Sequence, residues 1–227
     1  MRNSRFLMPA LALIVTVGSC QNRSSETADN DSTMHDESSM SMDSMDSMKN
    51  NEMMSAMTEM MGAMHQMTMT GNADVDFAMM MKGHHQGAVD MAAIELKSGE
   101  DATLKQMAQK ITDAQKAEIK ELDAFVDSHK NFGEDYDPAK KDMGFAKVME
   151  ESMMGMMNMP KMDEHTASST DHQFVSMMVP HHQSAANIAK GFLQYGKDAG
   201  LLGMAKKMIS DQTQEIEEFN KWNDQHK

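Results

Sequence analysis

The spacing of apolar and polar positions predicts helices throughout the ordered part of the chain. One helix is expected from about Asp76 to Lys97, broken at Ser98-Gly99, and a second from Asp101, which reads as an N-cap, to about Ser128. In the second, Leu104, Met107, Ala108, Ile111, Ile119, Leu122 and Val126 supply an apolar face with Lys and Glu around it. No stretch alternates with the period of a strand, so the fold class is all-α.

The hairpin is repeated. Displaced by 97 positions, Phe77 falls on Phe174, Met80-Met81 on Met177-Met178, and His84-His85-Gln86 on His181-His182-Gln183. Without a gap, Ala88, Leu96, Asp101 and Leu104 then meet Ala185, Leu193, Asp198 and Leu201, and the register holds until His129 meets His226. A gapless match of this length implies duplication. Neither hairpin can bury its apolar stripe alone, so the two are expected to stack into a four-helix bundle.

Methionine adds two further helices. From Glu52 to Met69, Met53, Met54, Met57, Met60, Met61, Met64 and Met67 fall on one stripe, and Met143 to Met162 reads as a similar helix closed by Pro160. Packing accounts for such a stripe, because methionine is a good helix former and an adaptable core residue. Each hairpin thus has its own preceding Met-rich helix. Residues 52–130 form the first repeat and 131–227 the second.

The segment before them is of another kind. Residues 20–51 are Ser, Asp, Asn, Glu and Met, with too little branched or aromatic apolar content to offset chain entropy, and are expected to be a disordered tether. Core packing cannot explain Met40, Met42, Met45 and Met48 there. Residues 1–19 read as an export signal: Arg2 and Arg5 precede an apolar run from Phe6 to Val17, and Val17-Gly18-Ser19-Cys20 resembles a bacterial lipobox. The resemblance implies cleavage before Cys20, lipid attachment to it, and a periplasm-facing protein of the cell envelope. By analogy with enterobacterial sorting, Gln21 after Cys20 points to the outer membrane over the inner.

Cysteine and charge restrict the chemistry. With one cysteine no internal disulfide forms, and acylated Cys20 leaves no thiolate, so any soft ligand must be methionine. The net charge of −14 becomes −16 once Arg2 and Arg5 are removed, which disfavours nucleic acid and anionic head groups and favours cations. Contact with the membrane is expected through the lipid anchor only. There is no Gly-x-Ser-x-Gly, P-loop or His-Glu-x-x-His, and the chain is not expected to be an enzyme.

The candidate ligands lie in the duplicated Met-Met-x-x-His-His-Gln motif. Residues four apart share a helix face, which sets Met80 under His84, Met81 under His85, Met177 under His181 and Met178 under His182. Thioethers select Cu(I) or Ag(I), whereas imidazole serves Cu(I), Cu(II), Zn and Ni, so the mixed set favours copper, with Cu(I) preferred and Cu(II) possible. Met53, Met54, Met57, Met60, Met61, Met64, His65 and the tether methionines are weaker candidate ligands.

The lines MMMKGHHQGAVDMA and MMVPHHQSAANIA resemble the bacterial family DUF305, over about Asp76 to His129 and Asp171 to His226. The resemblance implies a ferritin-like helical bundle and periplasmic copper binding linked to copper tolerance. It adds Met91 as a ligand, whose counterpart in the second repeat is Ile188, so the two halves would bind unequally. The expected function is copper sequestration.

Two alternatives have other signatures. A di-iron oxidoreductase would use Glu-x-x-His, which the chain lacks, and Glu118, Glu121, Glu215 and Glu218 read instead as a solvated face near Lys116 and Lys120. A structural or oxidant-scavenging envelope protein would need only exposed thioethers. The number of ordered sites depends on helix direction: parallel HHQ helices would join the histidine pairs into one site, and antiparallel helices would separate them.

Overall fold

The computed structural model describes residues 52–129, 133–157 and 169–226. Among these residues six helices and no strand are found: α1 (Glu52–His65), α2 (Ala73–Ser98), α3 (Ala102–Ser128), α4 (Gly144–Met157), α5 (Thr170–Phe192) and α6 (Ala199–Gln225). The fold is all-α. The export signal, Cys20 and the tether with Met40, Met42, Met45 and Met48 lie outside the described residues. No helix among the described residues is long and apolar enough to cross a membrane.

Helix starts follow local chemistry. Asp101 and Asp198, equivalent in the repeat, cap α3 and α6 by accepting the N–H groups of Leu104 and Leu201, each at 2.9 Å. Asn72 caps α2 through the Val75 N–H, so that helix begins before Asp76, where the apolar pattern alone would start it. Asp76 faces backwards instead. Its buried carboxylate accepts from the Thr70 N–H and hydroxyl, the Gly71 N–H and the Tyr136 hydroxyl, fixing the approach to α2.

The elements form three layers. α2 and α5 pack against each other in the middle; α1 covers α2 and α4 covers α5 on one side, while α3 and α6 pack against α2 and α5 respectively. A helix covered on two sides keeps only a narrow polar strip, Lys82, Gln86, Asp90 and Lys97 on α2 and Gln183, Asn187 and Lys190 on α5, and small and apolar residues occupy the rest of each surface. Gly87 permits the closest approach of α1: a Cβ there would stand 2.4 Å from the Met60 sulfur. Met53, Met57, Met60 and Met64 are buried in the core, so the stripe on α1 packs.

The middle helices run antiparallel, fixed by a reciprocal pair of bonds. Asp171, at the start of α5, accepts from the N–H groups of Glu100 and Asp101 in the turn after α2, both at 3.0 Å. Its repeat mate Asp74, at the start of α2, accepts from those of Lys197 and Asp198 after α5, at 2.9 and 3.2 Å. Each helix is thus stitched to the far end of its partner.

One end departs from this pseudo-twofold symmetry. Phe192, closing α5, stacks on Phe77 with ring centroids 3.9 Å apart, but the residue equivalent to Phe192 in α2 is Glu95, fully buried over Gly99. Burial foremost, and then Asp171 beside it, raise the Glu95 carboxyl from 4.5 to about 8. Across that interval unfolding releases a proton, so the group's contribution to stability falls as pH rises from 4.5 to about 8. Glu95→Gln should leave stability at pH 4 unchanged and raise it at pH 8 by about 1–2 kcal/mol, roughly 2–8 °C in Tm, measurable by thermal melts at both pH values.

Candidate metal centre

The HHQ motif occupies the middle of each central helix, eleven residues after Ala73 for His84 and eleven after Thr170 for His181. Two antiparallel helices that cross at their midpoints bring such positions together. The His84 and His181 rings lie 3.8 Å apart between centroids, and the His181 Nε2–H donates to the His84 carbonyl at 3.1 Å. The expectation that antiparallel helices separate the pairs is therefore corrected, because it ignored where along the helix the motif falls. His85 and His182 flank this contact, 6.4 and 5.8 Å from the ring of their own neighbour.

All four imidazoles are buried, at 0–1 % exposure. Because a carbonyl can only accept, His181 carries its proton on Nε2 and leaves a bare lone pair on Nδ1. Five ring nitrogens have no polar partner: both of His84, and Nδ1 of His85, His181 and His182. Desolvation, and then the neighbouring imidazoles, push His84 and His181 well below the ordinary value of 6.5, so both are neutral near pH 7.

α3 and α6 add a carboxylate each. His85 Nε2 stands 3.0 Å from a Glu118 oxygen and His182 Nε2 2.8 Å from a Glu215 oxygen, again repeat mates. Burial alone would raise Glu118, but His85 and Lys207 outweigh it and hold the carboxyl below its ordinary value. The expected solvated face is thus corrected for Glu118 and Glu215: they turn inwards, and Lys207 of α6, at 3.2 Å, takes the place expected of Lys116 or Lys120. A groove of about 210 Å³ between α3 and α6 is lined by both glutamates and by Gln115 and Gln212, whose buried Oε1 atoms also lack partners.

Met80, Met81, Met177 and Met178 are buried on the same helices, as are Met91 and its counterpart Ile188. The glutamine of each motif turns outwards, Gln86 to Asp90 at 2.8 Å and Gln183 to Asn187 at 3.0 Å, so it caps its own helix surface and takes no part in the cluster. Among the described residues no three His, Cys, Asp or Glu side chains are placed to hold a metal together. Nitrogen donors meet here in pairs, with thioethers the remaining soft donors on the same two helices.

A family model described as a domain of unknown function, DUF305, matches residues 74–223, and the chain belongs to that family. Among curated proteins no match is found. Solved structures of CopM are similar: the Cu(I)-bound form is 25% identical with a TM-score of 0.51, covering 67% of this chain and 96% of that one. The Ag-bound form obtained by co-crystallization and the apo form are each 26% identical, with TM-score 0.51 and the same coverage.

The depressed His84 and His181 values set a pH dependence for the metal-free protein. Below 6.5 the unfolded chain takes up protons that the folded cluster refuses, so stability falls as pH falls through that value. Urea unfolding at pH 7.5 and 5.5 should differ by up to about 3 kcal/mol from these two groups. In H84L/H181L that part of the difference should vanish.

Proposed function

We propose that this is a copper-binding protein of the cell envelope that sequesters Cu(I) at the crossing of α2 and α5. The observation that carries the reading is the set of five ring nitrogens without a polar partner in four buried imidazoles, both of His84 and Nδ1 of His85, His181 and His182. Leaving a buried polar atom unpaired costs about 1–3 kcal/mol, and repeating that arrangement in both halves of a duplicated chain is difficult to reconcile with packing. An imidazole that keeps one N–H offers one lone pair, and a bound cation would engage it.

Several features favour Cu(I) as the ion. Neutral His84 and His181 are competent donors, and a monovalent ion loses less hydration on burial than a divalent one. Met80, Met81, Met177 and Met178 would complete a coordination shell that the histidine pairs only begin, with Met91 strengthening the first half relative to the second. Glu118 and Glu215 would balance the charge from the groove side, orienting His85 and His182 in the manner of outer-shell carboxylates. The likeness to CopM, a protein solved in Cu(I)-bound and Ag-bound forms, supports this choice of metal.

In this reading the protein binds its cargo without transforming it. Cys20 would carry the lipid that holds it at the membrane, the outer membrane by the residue that follows. The methionines of residues 20–51 would add weak, multiple sites that keep ions close to the bundle.

The test must respect burial. Alanine at four fully enclosed histidines would leave a void, so the informative variant is H84L/H181L, which keeps the space filled. It should retain its helical circular dichroism while Cu(I) affinity at the tightest site, measured against a chromophoric chelator under anaerobic reduction, falls more than about 100-fold, since even outer-shell partners are worth 10–100-fold. Unchanged affinity would sink the assignment. Tighter binding of Zn(II) than of Cu(I) would move the reading to a harder metal.

A further inference from the structure

A second concentration of soft donors lies outside the histidine cluster. Between the C-terminal end of α1, the segment that follows it and α4 is a pocket of about 260 Å³. Met64 and His65 come from the last turn of α1, Met67 and Met69 from the following segment, and Met149, Met153 and Met154 from α4. Six thioethers and an imidazole therefore face one open volume.

The arrangement is unlike the packing of the α1 stripe in its first turns. Methionines that pack fill their space, as Met53 and Met57 do at 1–2 % exposure. Here Met64 and Met149 form a buried floor, Met67, Met69 and Met153 are half-buried walls, and Met154 stands 55 % exposed at the rim with exposed His65. The volume is several times the roughly 30 Å³ of a water molecule, and unbranched thioether side chains can fold into it.

The walls are fixed by interactions already described. Thr70 and Gly71 are anchored by Asp76, and the Gly71 carbonyl accepts the N–H groups of Asp135 and Tyr136 at 2.7 and 3.0 Å. Tyr136 packs edge-on against Phe145 of α4, with centroids 5.6 Å apart. Met67 and Met69 are thereby held beside α4.

We propose that this pocket is a separate, solvent-reached site for a soft monovalent cation, Cu(I) or Ag(I), bound by thioethers from α1, residues 67–69 and α4 with His65 at its edge. Its thioether-rich donor set favours soft ions over hard ones. The carboxylate on its lining, Glu150, is paired with Lys141 at 2.8 Å, which also places a positive charge at the rim. Met64, His65, Met67 and Met69 precede residue 74, where the family match begins, so the site is made by this chain's own leading segment against α4. It stands beside the histidine cluster: Met64 Cγ lies 3.6 Å from where a Cβ on Gly83, the residue before His84, would be.

The test uses the full chain labelled with methyl-¹³C methionine and titrated with Ag(I), a redox-inert soft cation, in the H84L/H181L background. The methyl resonances of Met67, Met69, Met153 and Met154, assigned by single leucine variants, should shift together and saturate at one ion. M69L/M153L/M154L in the otherwise native chain should lose one equivalent of Ag(I) while retaining the tightest Cu(I) affinity and its circular dichroism, because methionine to leucine nearly conserves volume. The proposal is overturned if only methionines of residues 20–51 respond, or if the triple variant keeps its full stoichiometry. Failure of the histidine assignment would appear separately, as unchanged tight binding in H84L/H181L.

Discussion

The direction of α2 and α5 is set by the reciprocal bonds from Asp74 and Asp171 to the turns at each other's ends, and the centre of the molecule follows from that direction. Each aspartate satisfies two backbone N–H groups of a turn that leads into a helix, a strong use of a single carboxylate. With both helices held end to end, their midpoints must meet. The two histidine pairs then share one enclosure, and α3 and α6 are brought close enough for Glu118 and Glu215 to reach it. A cluster of this kind is a property of the crossing and belongs to neither repeat alone.

The enclosure works against the stability of the metal-free fold. Domains of ordinary size are stable by only about 5–15 kcal/mol, so a cluster of unpaired nitrogens is a substantial opposing term, and it is offset by the apolar layers around it. Phe77 and Phe192, the α1 methionines, and Phe174 against Phe219 at 5.6 Å supply that support. Placing the histidines in the middle layer keeps water away from the lone pairs and keeps His84 and His181 neutral. A surface position would have achieved neither.

Much of this was legible in the residues. The duplication, the N-caps at Asp101 and Asp198, the period of α3 and the Met-rich helix ahead of each hairpin are local or repetitive signals, and local signals survive folding. Glu118 and Glu215 were not legible as part of the site. On a helix rich in Lys and Glu they look like any solvated pair, and only the packing of α3 and α6 turns them inwards. Their equivalence in the repeat was the available hint, but it is shared by Glu121 and Glu218. The meeting of His84 with His181 was within reach: a motif at the midpoint of two helices meets itself if they run antiparallel. The pocket beside α4 was hidden for another reason, since its donors come from three segments that no single periodicity connects.

Glu95 and Phe192 occupy one position in two copies of the same ancestral unit and treat it in opposite ways, one as a buried acid and one as a stacking ring. The halves are therefore no longer interchangeable. An assembly of two first repeats would carry a buried acid at both extremities, and one of two second repeats would be sealed by aromatic stacks at both. The present chain combines them, so its two extremities answer to different variables: one to the proton concentration, the other only to temperature and solvent.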